Sequence, residues 1–225
     1  MIFKRLLYII FSIVTLSGCN IKSSEDYHKE ANQLEKEHKY KDAIILLDKA
    51  IEKSPSNIKA LLDRAVDKSI IEDYNGAIED YSKVIELDAN NGLAFLNRGK
   101  NKNRLKNYKG AISDFDKAIT TKGGEHFYIN KVESSFIETG FEFDVDMEEI
   151  RYERGIARYN IDSLKLAFED FNFCIQKNFE LTSSYYWRGI IYLLYNKNDN
   201  GCEDLIKSME LGFSDAKDLV EKNCR

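Results

Sequence analysis

Residues 74–84 read YNGAIEDYSKV, and residues 108–118, which lie 34 positions later, read YKGAISDFDKA. The interval of 34 recurs through the chain in three columns of residues, with one interval of 56 between the third and fourth members. The columns hold small residues at Ala31, Ala65, Gly99, Gly155 and Gly189, small residues again at Ala43, Ala77, Ala111, Ala167 and Gly201, and large apolar residues at Leu47, Tyr81, Phe115, Phe171 and Leu205. Three columns with identical spacing indicate an internal repeat of five units.

Each unit has the periodicity of two amphipathic helices. From Tyr74 to Ile85, apolar side chains recur at intervals of three and four, which places them on one face of a helix. The small residues allow the two helices of a unit to approach closely. Hydrophobic residues make up 43% of the chain, which contains a single proline. The composition therefore favours a folded, all-α protein over a disordered chain or a turn-rich β-sandwich.

A unit of 34 residues with two helices and these columns resembles the tetratricopeptide repeat (TPR). The clearest matches are residues 74–91 and 108–118, and the turn at 54–57, with Pro55, fits the proline-containing turn of that family. The resemblance implies an all-α, right-handed superhelical solenoid of about five helix-turn-helix repeats.

The repeat pattern predicts the division of the chain. The expected units are 24–57, 58–91, 92–122, 148–181 and 182–213, so that 24–122 forms repeats 1–3, 123–147 is an insertion, 148–213 forms repeats 4–5 and 214–225 forms a capping helix. Ser214 is expected to cap that last helix, and Ala216, Leu219 and Val220 to form its apolar face. Gly201 departs from the alanine usual in its column, at a cost of about 1 kcal/mol in helix propensity.

The N-terminus has the layout of a secretory signal. A basic start with Lys4 and Arg5 precedes an apolar run over 6–16, and the run closes on Leu16-Ser17-Gly18-Cys19. These four residues resemble the bacterial lipobox, which implies that 1–18 is a lipoprotein signal peptide, that Cys19 carries acyl chains such as palmitate, and that 19–23 is a lipidated tether. The alternative is an uncleaved anchor with a chance cysteine. Lipidation predicts a bacterial envelope protein tethered to a membrane. We expect the outer membrane ahead of the inner one, which stays open as the alternative.

The net charge argues against nucleic acid as a partner. The formal charge is −5, whereas a nucleic-acid binder usually carries clustered basic residues.

Two further columns predict structural ion pairs. An arginine precedes the small residue of the first helix in four units, and an aspartate precedes the large residue of the second helix in the same four units. These residues are Arg64, Arg98, Arg154 and Arg188, with Asp80, Asp114, Asp170 and Asp204. The first unit lacks both partners, having Glu30 and Leu46. This co-occurrence predicts that each arginine pairs with the aspartate of its own unit. The alternative is a basic stripe for anionic ligands.

The first helices of TPR proteins line a concave groove, and the resemblance implies a partner-binding groove here. The expected groove residues are Leu62, Val66, Leu96, Lys100, Arg104, Tyr152, Ile156, Tyr159, Tyr186 and Ile190. Such an apolar and aromatic groove suits a peptide of a protein partner. The alternative is that some of these side chains contact the neighbouring repeat or the insertion.

The carboxylate-clamp version of the family needs a particular set of lysines and asparagines. This chain has His28 and Asn32 in the first unit, but Asp63, Leu93 and Asn97 at further clamp positions. The sequence therefore argues against recognition of a free C-terminal carboxylate.

The insertion concentrates aromatic and acidic residues. They are Phe127, Tyr128, Phe136, Phe141 and Phe143, with Glu138, Glu142, Asp144 and Asp146. A long insertion in a solenoid often elaborates a binding surface. The acids lack the spaced loop with a central glycine that a calcium site requires, so no metal is predicted.

Motifs of catalysis and of cofactor binding are missing from the sequence. His28, His38 and His126 are scattered, and the chain contains no glycine-rich phosphate loop, zinc-binding HExxH run or nucleophile elbow. Ser134 or Ser135 near His126 is the weak alternative of a nucleophile with its base. We expect a non-enzymatic protein with no cofactor.

The remaining cysteines predict one disulfide bond. Cys174 falls in a column of small buried residues, whereas Cys202 lies on the second helix of the last unit, against which the capping helix must pack. If that helix folds back, Cys224 at its end meets Cys202. The alternative is two unlinked thiols.

Together these features predict a membrane-anchored TPR scaffold that binds a protein or peptide partner through its concave groove. The alternative is a non-catalytic accessory subunit of an envelope secretion, assembly or glycan-handling complex.

Overall fold

The computed structural model describes residues 22–121 and 146–224, which contain eleven α-helices and no β-strand. The helices are α1 (Ser24–Lys36), α2 (Tyr40–Lys53), α3 (Ile58–Ile70), α4 (Tyr74–Leu87), α5 (Gly92–Arg104), α6 (Tyr108–Thr120), α7 (Met147–Asn160), α8 (Leu164–Gln176), α9 (Leu181–Leu194), α10 (Asn198–Glu210) and α11 (Ala216–Asn223). This all-helical architecture confirms the predicted fold class. The expected signal peptide and lipobox, within residues 1–21, and most of the expected insertion, at 122–145, lie outside the described residues.

Each helix packs against the helix before it and the helix after it, which is the arrangement of a solenoid. The odd-numbered helices α1 to α9 are the first helices of the five units, and the even-numbered helices α2 to α10 are the second helices. Although 26 residues separate α6 from α7 in the chain, α7 packs on both α6 and α5. The helical stack is therefore continuous across the insertion.

The two small-residue columns lie where the helices of a unit cross, and the large column fills the space beside them. Tyr81, Phe115 and Phe171 are the largest fully buried side chains of the described chain.

Gly201 stands where the other units have alanine, and the structure gives the reason. A β-carbon at Gly201 would lie 2.8 Å from Leu193 Cδ2 and 3.0 Å from the carbonyl oxygen of Gly189. The close crossing of α9 and α10 therefore requires glycine there.

Polar side chains and left-handed residues define the helix ends. Asn57, Asp73, Asn91 and Asn107 accept hydrogen bonds from backbone amides at the starts of α3 to α6, as N-caps do. The turn between the two helices of each unit contains one non-glycine residue with φ between 56° and 66°, namely His38, Glu72, Lys106, Asp162 and Asn196. This conformation ends the first helix and reverses the chain.

The capping helix α11 packs on α10, with Ala216 fully buried and Leu219 and Val220 half-buried. The expectation that Ser214 caps α11 is wrong, because Asp215 takes the N-cap position and its side chain makes no capping hydrogen bond.

Cys202 and Cys224 form a disulfide bond with a Cα–Cα distance of 5.4 Å. The bond fastens the end of α11 to the second helix of the last unit.

Candidate functional site

The inner face of the solenoid is formed by the first helices, which meet one another in pairs. His28 of α1 contacts Asp63 of α3, Lys100 of α5 contacts Glu149 of α7, and Tyr159 of α7 contacts Trp187 of α9. We call the meeting of α1 with α3 the first junction, of α3 with α5 the second, of α5 with α7 the third and of α7 with α9 the fourth. The chemistry of these four junctions decides what the inner face can bind.

The expected groove residues divide into buried and accessible sets. Leu62 and Leu96 are each 2% exposed and pack in the hydrophobic core, so the expectation that they offer a binding surface is wrong. They fill the space between successive first helices, which periodicity alone does not distinguish from the open groove. The accessible set comprises Arg104, which is exposed, and Val66, Lys100, Tyr152, Ile156, Tyr159, Tyr186 and Ile190, which are half-buried.

The fourth junction is aromatic. Trp187 lies 4.9 Å from Tyr159, 5.3 Å from Tyr186 and 6.2 Å from Phe171 between ring centroids, and it stacks on Phe171. Tyr186 also lies 4.9 Å from Phe213, which precedes the capping helix. Sequence reasoning missed Trp187, although the only tryptophan of the chain on the first helix of a unit was a usable signal. The partly exposed rings of the fourth junction form an apolar surface with polar edges.

The third junction pairs its acids with cations. Lys100 Nζ lies 2.7 Å from Glu149 Oε1, and Asn103 Nδ2 donates a hydrogen bond of 3.3 Å to Glu153 Oε2. Burial raises the pKa of Glu153, and the charges of Lys100 and Arg104, together with the Asn103 hydrogen bond, oppose that rise. Glu149 is therefore paired with a lysine, whereas burial of Glu153 outweighs the favourable charges and its pKa stays raised. Oδ1 of Asn103 is also buried without a partner among the described residues.

The first junction holds three acids, of which Asp63 and Asp67 are buried and Glu35 is half-buried. His28 Nε2 lies within hydrogen-bonding distance of Asp63 Oδ2, and both side chains are buried. Burial lowers the pKa of His28, but the hydrogen bond and charge of Asp63 outweigh it, so that the pKa is raised overall. Burial, with the charge of Asp63, raises the pKa of Glu35 to about 7. Burial, with the charges of Glu35 and Asp63, raises the pKa of Asp67 to about 8.

Several buried oxygens near this junction lack a partner in the described part of the chain. They are Oδ1 of Asn32, Oε1 of Glu35, Oδ2 of Asp67 and, in the adjoining second junction, Oδ1 of Asn101. All four are hydrogen-bond acceptors. A buried polar atom without a partner is costly and calls for an explanation. Sequence reasoning noticed Asn32 and Asp63 only in the comparison with the carboxylate clamp, from which Asp63 departs, and it missed Glu35 and Asp67.

The arginine–aspartate pairs form a ladder between the helices. Arg64, Arg98, Arg154 and Arg188 donate through Nε and Nη2 to both oxygens of Asp80, Asp114, Asp170 and Asp204, respectively. The third arm of each guanidinium donates to the preceding unit, at Asp48, Ser82, Asp116 and Asn172.

Further cations complete this ladder. Lys68, Lys102 and Arg158 add a second positive charge to the first three aspartates. Sequence reasoning missed these cations and the contacts to the preceding unit. Because each guanidinium is mostly buried and fully engaged, the ladder joins repeats and leaves no free basic stripe for anions.

Cys174 is a buried structural thiol. Its side chain is fully buried among the helices of the fourth unit, and burial raises the pKa of the thiol to about 12. The thiol is therefore unreactive at neutral pH.

A cavity of about 570 Å³ lies between α9 and α10, away from the inner face. Its lining includes Arg188 and Asp204, which are bound to each other in the ladder, together with Tyr185, Glu203 and Lys207. Because these charges already compensate one another, the cavity does not indicate a ligand of defined charge.

Residues 22–121 and 146–224 show neither a metal site nor a membrane-spanning helix. No group of three or more histidine, cysteine, aspartate or glutamate side chains is arranged to hold a metal ion there. Within the same ranges, no helix has the length and apolar character needed to cross a membrane.

Comparison with known proteins identifies the fold. No family model and no curated protein matches the sequence. Among solved structures, MamA residues 41 to the end from Desulfovibrio magneticus RS-1 is similar, with a TM-score of 0.69 and 15% identity over 84% of this chain and 94% of that chain.

Two further solved structures resemble the chain. YrrB, described as a TPR protein with an unusual peptide-binding site, has a TM-score of 0.66 and 20% identity over 84% of this chain and 86% of that one. PilF of Pseudomonas aeruginosa has a TM-score of 0.63 and 16% identity over 84% of this chain and 76% of that one. The chain therefore has the fold of a TPR-type solenoid.

Proposed function

We propose that this protein is a membrane-anchored TPR scaffold of the bacterial envelope that binds a segment of a protein partner along the inner face of its first helices. We further propose that Cys19 carries the lipid anchor and that the membrane is the outer rather than the inner one. The solenoid fold supports the first statement, since repeat proteins use their concave surfaces for binding. The lipobox-like residues support the second.

The observation that carries the binding proposal is the aromatic surface of the fourth junction. Tyr159, Tyr186 and Trp187 are half-buried and contact one another through Trp187. The half-buried Ile190 follows Tyr186 by four positions on α9, which places it on the same face of that helix. Tyrosine and tryptophan in partly accessible clusters are the residues that contribute most to protein interfaces. YrrB, which shares this fold, is described as having a peptide-binding site. An extended or helical peptide segment fits this surface best.

The anchor would hold the start of the first unit close to the membrane. The first helix begins at Ser24, five residues after Cys19, and an extended chain spans at most about 3.6 Å per residue. The start of α1 would therefore stay within about 18 Å of the lipid headgroups. A partner would be a membrane protein or a protein of the adjoining compartment.

Site-specific photo-crosslinking in cells of the source organism tests the binding proposal. A photoreactive amino acid at Ile190, on the inner face, is expected to give a discrete adduct with a protein. The matched control places the same amino acid at Leu166, an exposed apolar residue on the second helix α8. Equal adducts at both positions, or adducts only at Leu166, would contradict the proposal. If the crosslinked partner also co-purifies with the chain in fixed stoichiometry without irradiation, the chain is an accessory subunit. If an excess of free partner peptide added before irradiation suppresses the adduct, the chain is a peptide receptor.

Metabolic labelling tests the anchor. A clickable fatty-acid analogue is expected to label the wild-type protein, and Cys19→Ser is expected to abolish the label and release the protein from membranes. A labelled Cys19→Ser variant would refute the lipoprotein assignment. Sucrose-gradient separation of the two membranes tests the outer-membrane assignment.

A further inference from the structure

The arginines of α7 and α9 all point away from the fourth junction, toward the second helices. Arg154, Arg158 and Arg188 bond to aspartates of the ladder. Arg151 lies over the ring of Phe173 on α8, 4.0 Å from its centroid. These four arginines are all the basic residues of the two helices. Neither helix therefore presents a cation to the aromatic surface between them.

The charges that act on the tyrosines of this junction are negative. Burial raises the pKa of Tyr152, and the charges of Glu180 and Glu153 add to that rise. Burial also raises the pKa of Tyr186, and the charge of Asp215 adds to it. The aromatic surface therefore lies in a field of carboxylates.

Two of these carboxylates have no counter-charge. Glu180 and Asp215 accept hydrogen bonds from serine hydroxyls, but they form no ion pair with any residue that the structure describes. The cations of α5 serve the third junction instead, where Lys100 is bound to Glu149 and acts with Arg104 on Glu153. The acids at the C-terminal end of the inner face are thus open to a cation from outside the chain.

The rings of the fourth junction also lack a cation of their own. Elsewhere in the described chain, lysines and arginines lie over aromatic rings at 4.0–5.9 Å from the ring centroids. The rings that have such a cation are Tyr27, Phe95, Phe173, Tyr185 and Tyr192. Within residues 22–121 and 146–224, no lysine or arginine lies over Tyr159, Tyr186 or Trp187 in this way. These half-buried rings can therefore accept a cation from a partner.

We propose that the fourth junction binds an arginine side chain of the partner segment, with the guanidinium packed on Tyr186 and Trp187 and turned toward Asp215. The inference rests on the proposed function, because it assumes that a partner segment lies along the inner face. It adds the chemistry that recognises the segment, which is a cationic side chain at the C-terminal end of the groove.

An arginine complements this surface better than an apolar side chain does. A cation is attracted to the face of an aromatic ring, most strongly to that of tryptophan. The guanidinium is planar, so it can stack on a ring and donate hydrogen bonds to a carboxylate at the same time. Its aliphatic stem can lie along the half-buried Ile156 and Ile190. An apolar side chain would cover the rings but leave the acids without a counter-charge.

Selection of random peptides displayed on phage tests the inference on the purified full chain in mild detergent. The enriched peptides are expected to share an arginine and to change the fluorescence of Trp187, which is the only tryptophan of the chain. Replacing that arginine by citrulline keeps the planar shape and removes the charge. This replacement is expected to weaken binding about tenfold.

A second measurement uses the single tryptophan again. Growth on trifluorotryptophan replaces Trp187 alone, and fluorine withdraws electron density from the face of the ring. The arginine peptide is expected to bind this protein about threefold more weakly, whereas the citrulline peptide should bind both proteins equally.

Asp215→Asn tests the carboxylate. The side chain of Asp215 makes no capping hydrogen bond to α11, so the substitution should leave that helix intact. The preference for arginine over citrulline is expected to fall from about tenfold to about threefold or less. The matched control is Asp199→Asn, which removes an exposed carboxylate at the start of α10 and should keep the full preference. Circular dichroism confirms that both variants are folded.

Enriched peptides without a basic residue, equal binding of the arginine and citrulline peptides, or binding that leaves Trp187 fluorescence unchanged would each overturn this inference. An equal preference in Asp215→Asn and Asp199→Asn would remove Asp215 from the site. The proposed function stands in all these cases if crosslinking at Ile190 gives an adduct. If no peptide is enriched, this inference fails, and the proposed function fails with it when Ile190 also gives no adduct.

Discussion

The first and fourth junctions of the inner face use equivalent backbone positions, but their side chains differ in charge and in aromatic content. At the first, Glu35, Asp63 and Asp67 form a buried acidic group with unpartnered oxygens. At the fourth, Tyr159 and Trp187 form an aromatic cluster. In this solenoid, the residues that hold the helices together and the residues that could contact a partner occupy different positions. The small-residue columns and the ion-pair ladder repeat, whereas the inner positions vary.

The largest expected effect comes from the aromatic end. Phe171 is fully buried and contacts the rings of Tyr152 and Trp187, so Phe171→Ala is expected to lower the free energy of unfolding by about 3–5 kcal/mol. Urea denaturation followed by circular dichroism measures it. Leu166→Ala, at an exposed position on the same helix, is the control and should cost under about 1 kcal/mol. A similar loss in both variants would mean that the fourth unit is not organised around Phe171.

The disulfide bond should stabilise the aromatic end and leave the acidic end unchanged. Cys202→Ser with Cys224→Ser opens a loop of about 20 residues and is expected to cost about 3 kcal/mol in the chain-entropy model. Hydrogen exchange should show increased opening of α11 and α10 but not of α1. A reductant should lower the free energy of unfolding of the wild-type protein and leave that of the double variant unchanged. A wild-type protein whose stability does not change on reduction would contradict the assignment of this disulfide bond.

The arginine–aspartate pairs should contribute to stability in the same way along the whole solenoid, whatever side chains line the inner face. A double-mutant cycle on Arg98→Ala and Asp114→Ala is expected to give a coupling of about 1–3 kcal/mol, because the guanidinium binds both carboxylate oxygens. The control cycle joins Arg98 with Asp80 of the preceding unit, to which Arg98 makes no bond. This cycle should be additive within about 0.5 kcal/mol. Equal coupling in the two cycles would place the pairs between units instead of within them.

The smallest expected effect sharpens the comparison at the acidic end. The folded-state pKa of Asp67 is about 8, above its unfolded value, so the folded protein binds more protons than the unfolded one between these values. The contribution of Asp67 to stability therefore falls as the pH rises from about 4 to about 8. Asp67→Asn should remove this contribution and raise stability at pH 8 by about 1 kcal/mol.

Thermal unfolding at about pH 6 and about pH 8 measures this effect. Glu79→Gln, at an exposed position on α4, is the control and should shift neither curve. A loss of stability on Asp67→Asn at pH 8 would show that the carboxylate has a compensating partner within the chain.

The fold was predictable because its determinants are local and repeated. The spacing of Ala65 to Gly99 and of Tyr81 to Phe115 places each residue at an equivalent helix crossing, whatever lies on the inner face. The arginine–aspartate pairs were visible for the same reason, since both partners recur in the same four units. Even so, the third arm of each arginine, which bonds to the preceding unit, escaped prediction. The residues that accept it form a column directly after the large apolar residues, but they differ in charge and have only a short polar side chain in common: Asp48, Ser82, Asp116 and Asn172.

The candidate site was predictable only in outline. The resemblance to the TPR family placed Tyr159 and Ile190 on the inner face, but it also placed Leu62 there, which is buried. Glu35 and Asp67 lie on different helices and 32 positions apart, so no local pattern links them. Their significance arises from desolvation and from the lack of a neighbouring cation, which depend on every group around them.

By itself, the amino-acid sequence determined the all-α repeat, its period, the position of the insertion and the columns that hold the helices together. These properties follow from periodicity, because a residue at a fixed place in each unit meets the same neighbours. Only the tertiary structure decided which inner residues are accessible and which acids lack a partner. The burial of a side chain and the pairing of its charge depend on all the groups around it. These groups differ at each junction, and only the packing of the first helices brings them together.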